Sequence, residues 1–145
     1  MPFQFRLATV LRVRASLEKR EERILQRMQI EIARIVHRVE ELGAAIAHAH
    51  ELREQTMQRS IPAGHLHSLL WEEQSAVDQR KSLILEGQRL EQEREQQMKV
   101  YQNAHRNREM LTDMLNEQQD VYEQESMRTE QKQLDDIFIA RRHRS

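Results

Sequence analysis

The chain has 145 residues, in which 23 lysines and arginines nearly balance 24 aspartates and glutamates; charged residues make up 32%, aromatics only 4%, with 3 glycines, 2 prolines and no cysteine. Bulky side chains are too scarce to fill a two-layer globular core, and the missing cysteine excludes disulfides and thiolate metal sites. The near-neutral balance argues against a basic nucleic-acid-binding face and against the self-repulsion that holds a disordered chain open. A coiled coil resolves the composition, because it buries a narrow stripe and leaves about five positions in seven to water.

The first residues, MPFQFRLATV, lack the apolar run of a secretory signal,. No stretch approaches the roughly 20 apolar residues that span a bilayer. The expectation is a protein that stays in the compartment where it is made, without direct membrane insertion.

From about Arg6 to Arg59 the sequence predicts one helix. Leu25, Met28, Ile32, Ile35, Val39, Leu42, Ile46 and Ala49 alternate steps of three and four, the a/d spacing of a left-handed coiled coil,. Carried backwards, that register places Glu21, Glu18 and Arg14 in the seam, while Val10, Val13, Leu17 and Ile24 follow a stripe one position round. The expectation is a register slip near Leu25.

Ser60-Ile61-Pro62-Ala63-Gly64 is the one break. Pro62 is out of place inside a helix and Gly64 allows the backbone to reverse, so the turn is predicted at about 60–64,. Just beyond it, Leu69, Leu70 and Trp71 cover about 300° of a helix's circumference and do not all fit one seam. Trp71 is either part of a cluster capping the hairpin tip or an outward-facing anchor for a partner.

A second helix is predicted from about His65 to Arg142. Leu69, Ala76, Leu83, Leu90, Ala104 and Leu111 hold one heptad column, but Glu73, Arg80, Gly87, Arg94 and Arg108 stand where leucine is expected,. Reversal at the turn pairs residue i with about 124 − i, which leaves the last 25 or so residues as an overhang. The fold class expected is therefore all-α: a long two-helix antiparallel coiled-coil hairpin, with residues 1–145 forming a single domain.

Charge is segregated near the termini. Arg6, Arg12, Arg14, Lys19, Arg20 and Arg23 face a stretch rich in acid from Asp113 to Asp136, followed by Arg141, Arg142 and Arg144. Opposite signs would zip the paired part together; the overhang, with Leu134, Ile137, Phe138 and Ile139, reads as an external surface.

Catalytic chemistry finds no footing. A hairpin two helices thick offers no concave dry pocket, and no glycine-rich phosphate loop is present. His48/His50 and His65/His67 are two apart, about 200° round a helix, and do not chelate jointly. No enzymatic activity, cofactor or metal is expected.

Both ends resemble one family, the flagellar type III export protein FliJ. FQFRLATVLRVRASLEKREE is similar to that family's Phe-x-Phe/basic-Leu start, and ESMRTEQKQLDDIFIARRHR to its Glu-x-Lys-x-x-Asp-Glu ending, through Glu130, Lys132, Asp135 and Asp136, with Asp136 in place of the more frequent Glu. The two blocks cover about 40 residues. The resemblance implies a cytoplasmic, non-catalytic component of the export apparatus, similar in architecture to the rotor stalk of F-type ATPases. It would sit in the central hole of the export ATPase hexamer and be peripheral to the inner membrane through its partners. Those partners would be the hexamer, the export gate membrane protein and the export chaperones.

On that footing Phe3, Phe5, Leu7, Leu11, Arg14, Glu18, Glu130, Lys132, Asp135, Asp136 and Phe138 are the candidates for ring contact, and Trp71 for gate or chaperone contact. The alternative, from a different class, is a structural coiled-coil rod or dimeric scaffold unrelated to export. Self-association would then supply the burial that the second seam lacks. A third reading is a chaperone masking an amphipathic helix of an export substrate.

Overall fold

The computed structural model describes residues 2–59 and 61–144. Two helices account for almost all of them: α1, Ala8–Met57, and α2, Ala63–Arg144. No strand occurs among the described residues. The helices pack against each other as an all-α hairpin, and the chain divides into two compact units, Met1–Arg20 with Gln102–Ser145, and Glu21–Tyr101.

The turn differs from expectation in one respect. Ser60 lies outside the described residues, but Pro62 sits immediately before α2, and its carbonyl accepts from the amides of His65 at 3.1 Å and Leu66 at 3.3 Å. Proline's fixed φ suits a helix start, where its missing N–H costs nothing. Gly64 therefore lies inside the first turn of α2, and no glycine has positive φ. The reversal is made before Pro62 and does not use Gly64's conformational freedom.

In the unit Glu21–Tyr101 the α1 seam follows the apolar spacing. Leu25, Ile32 and Leu42 are buried, and Met28, Ile35, Val39, Ile46 and Ala49 are half-buried; Leu90 is the buried residue of α2. Most of the weak α2 positions are accommodated; the Nε of Arg80 is buried without a hydrogen-bond partner among the described residues. Glu73 accepts from Nη1 of Arg53 at 2.8 Å, with the two side chains only 15% and 22% exposed. Gly87 makes room for Ile35, whose Cγ2 would lie 3.3 Å from an added Cβ, and Arg80 lies over Gly43 with its Nε buried. Arg94 bonds Glu91 on its own helix at 2.9 Å. Large side chains thus face both glycines, and Glu73 meets an opposite charge across the seam.

The expected register slip is found only in part: Ile24 is half-buried and Ala15 replaces Arg14 one position round, but the rest of the rotated stripe is not inward. Glu18 and Glu21 are half-buried in the seam, whereas Val10, Val13 and Leu17 are exposed, as is Arg14, whose seam place is taken by Ala15. The reason is polar pairing. Nε2 of Gln97 donates to both the carboxylate and the main-chain carbonyl of Glu21. Glu18 is held likewise from α2, so charged residues remain in register at a desolvation cost that their partners offset.

Candidate binding surface

The unit Met1–Arg20 with Gln102–Ser145 carries nearly all the residues that the sequence singles out. It begins with a short arm that turns at Arg6 and Leu7 into α1, which starts at Ala8. Along the arm Phe3, Phe5 and Leu7 are half-buried while Pro2, Gln4 and Arg6 are exposed. Alternate side chains of the arm are thus turned inward, up to the turn at Arg6 and Leu7. The ring of Phe3 meets Tyr122 with centroids 5.4 Å apart and planes tilted by 49°. The Phe-x-Phe spacing thus clamps the arm onto the chain's own α2. Leu11 continues the inward row as the first half-buried residue of α1.

Further along, Arg108 donates to the carboxylate of Glu18 through Nε and, at 3.4 Å, through Nη2; Nδ1 of His105 lies 3.1 Å from the same carboxylate. The Arg108 hydrogen bonds hold the Glu18 carboxyl below its ordinary range, against the opposing effect of partial burial, and His105 adds to the lowering,. Nε2 of His105 also approaches Glu109 at 3.5 Å. Glu18 is therefore a structural anion of the seam.

Burial along α2 ends at Leu115, although Tyr122 still meets Phe3. From Glu123 to Arg144 every residue of α2 is exposed. Glu130, Lys132, Asp135, Asp136 and Phe138 all lie here, on different sides of one helix. Thr129 returns its hydroxyl to the Glu125 carbonyl at 2.9 Å, and Gln131 donates to Asp135 at 3.2 Å. The structure therefore brings Phe3, Phe5, Leu7, Leu11 and Glu18 together on the paired part. Arg14 is left outside the seam, and the five C-terminal candidates form a separate exposed set. Met127, exposed like Leu134 and Ile137, is missed by a reading of the terminal motif alone; its seven-residue spacing from Leu134 is the signal that finds it,.

Trp71 belongs to the other unit. It is 68% exposed, with Leu70 also exposed and Leu69 half-buried, and it lines a shallow groove with Arg53, His67, Glu73 and Val77. Its ring does not pack in the seam. Among the described residues no cluster of histidine, aspartate and glutamate is arranged to hold a metal ion, and no helix is long and apolar enough to cross a membrane.

Paired antiparallel helices with partnered charges in the seam and an exposed C-terminal stretch define an all-α helical hairpin. Residues 3–145 match the family model described as Flagellar FliJ protein, and the chain belongs to that family. No curated protein and no solved structure shows significant similarity to it.

Proposed function

We propose that the chain is a non-catalytic component of the flagellar export apparatus, acting as the central stalk of the export ATPase ring. In this reading it also links the ring to the export gate and the export chaperones. Family membership gives the setting. The observation that carries the finer reading is the exposed stretch 123–144, where Leu134, Ile137, Phe138 and Ile139 all lie open to solvent. Exposed apolar clusters of this kind mark interaction sites, and a helix free of its partner is narrow enough to enter a ring.

The roles of the candidates divide accordingly. Phe138, Glu130, Lys132, Asp135 and Asp136 are offered for direct contact, whereas Phe3, Phe5, Leu7, Leu11 and Glu18 support the paired segment from which α2 emerges. Trp71, on the other unit, is offered to the gate or a chaperone. The protein works in the cytoplasm, at the membrane face through these partners.

The test is a titration of the purified cognate ATPase with the chain, read as hexamer assembly and ATP turnover. Both rise with wild type, and Phe138→Asp abolishes the rise while helicity stays unchanged. Flat assembly and turnover up to micromolar concentrations would remove the stalk reading.

A further inference from the structure

The exposed stretch of α2 has a second seam. Stepping by seven from the half-buried Leu111 and Leu115, the intramolecular seam would continue through Gln118, Glu125, Lys132 and Ile139 on one column and Tyr122, Thr129, Asp136 and His143 on the other, all exposed and, from Glu125 to Asp136, all polar. Met127, Leu134 and Ile137 lie elsewhere. Met127 and Leu134 stand two positions after Glu125 and Lys132, about 200° round the helix and so on its opposite side.

Two heptad columns run along that opposite side, alternately three and four residues apart as a and d positions require. One reads Asp120, Met127, Leu134, Arg141; the other reads Glu123, Glu130, Ile137, Arg144. Each passes from acid through apolar to base. Met127, Leu134 and Ile137 are 69%, 61% and 51% exposed, so nothing in this chain covers the middle of the stripe.

This order fits one occupant, the same stripe running the other way. In an antiparallel coiled coil a positions face d positions, and the two columns superpose in a single register. Asp120 faces Arg144, Glu123 faces Arg141, and Met127 faces Ile137. Leu134 meets the aliphatic stem of Glu130, whose carboxylate reaches water at the edge. A parallel pair would set acid against acid and base against base, each contact destabilising.

We infer that two copies of the chain associate antiparallel through residues 120–144, by the face of α2 opposite the intramolecular seam. Only Met127, Leu134 and Ile137 of each copy supply exposed apolar surface to the stripe, well below the size of stable interfaces, so the dimer is weak,. The inference does not rest on the stalk reading, because it concerns the chain alone. If both hold, ring and second copy compete for one surface.

Sedimentation equilibrium of the full chain is the test. Wild type passes from 17.5 kDa towards twice that mass as concentration rises to about 500 μM, the range in which a patch this small acts. Leu134→Glu stays monomeric with unchanged helicity, and Glu130→Leu, which makes the weakest layer apolar, tightens the dimer about tenfold or more. Orientation is read by cross-linking, since the chain has no cysteine. Met127→Cys mixed with Ile137→Cys forms disulfides faster than either variant alone. A monomeric mass across the whole range, or faster cross-linking of each variant with itself, would overturn the inference.

Discussion

Arg108 and Glu18 hold each other across the helix pair, the guanidinium donating through both Nε and Nη2 to a carboxylate only 14% exposed. The pair stands where a coiled coil ordinarily places two leucines. Its strength depends on the charge of Glu18, and so on pH. The folded-state pKa of Glu18 lies below its ordinary value of 4.5. The pair therefore contributes in full above the unfolded value and is lost as pH falls through the folded one. Thermal melts should show wild type losing stability below about pH 4.5 more steeply than Glu18→Gln, which costs about 1–2 kcal/mol at neutral pH and shows a shallower acid limb. Parallel profiles for the two proteins would mean that the carboxylate adds nothing to this seam.

The two seam glycines should respond differently to alanine. A methyl at Gly43 would meet Nε of Arg80 at 3.5 Å, ordinary contact with the end of a flexible side chain. Gly43→Ala should therefore realise the helix-propensity gain of about 1 kcal/mol. At Gly87 the methyl would come within 3.3 Å of Cγ2 of Ile35, a packed β-branched residue. Gly87→Ala should gain less than Gly43→Ala, or lose. Chemical denaturation of both variants beside wild type gives the comparison, and a larger gain at Gly87 would contradict the packing described.

Much of this was legible in the sequence where apolar residues carry the pattern. Leu25 to Ala49 declare their own period, and the break at Pro62 divides the helices. Polar seam residues are illegible for a physical reason: Glu18 and Glu21 sit in register only because Arg108, His105 and Gln97 arrive from the distant helix. Read alone, two glutamates beside Val13 and Leu17 imply a slipped stripe. The N-terminal motif misleads likewise. Phe3, Phe5 and Leu7 have the spacing of an extended segment, but which surface they meet is set by tertiary pairing with Tyr122. At the C-terminal end the sequence shows that the apolar residues exist, and only the burial along α2 shows on which side of the helix they lie.

The arm makes a separate prediction. Phe3 packs on Tyr122 of α2, and its neighbours Phe5 and Leu7 are only half-buried. Phe3→Ala should leave overall helicity intact while loosening the segment locally, because the seam of the other unit does not depend on it. Hydrogen exchange should quicken at the amides of Ala8 and Leu11, which now bond the carbonyls of Phe5 and Leu7 at 3.1 Å and 2.8 Å,. Protection unchanged at both amides would show that the aromatic contact does not hold the arm.

Trp71 is the chain's single tryptophan, so intrinsic fluorescence reports on that site alone. At 68% exposure the indole should emit as a solvated ring and be quenched efficiently by acrylamide. Trp71→Ala should leave the melting temperature within the range of ordinary surface substitutions, about 0.5 kcal/mol either way, because the ring does not pack in the seam. If Trp71 anchors a partner, adding the gate's cytoplasmic domain or an export chaperone should shift its emission to shorter wavelength and protect it from acrylamide, as burial at an interface requires. Binding of both partners with no change in emission or quenching would assign them to other parts of the helix pair and leave Trp71 without a role in docking.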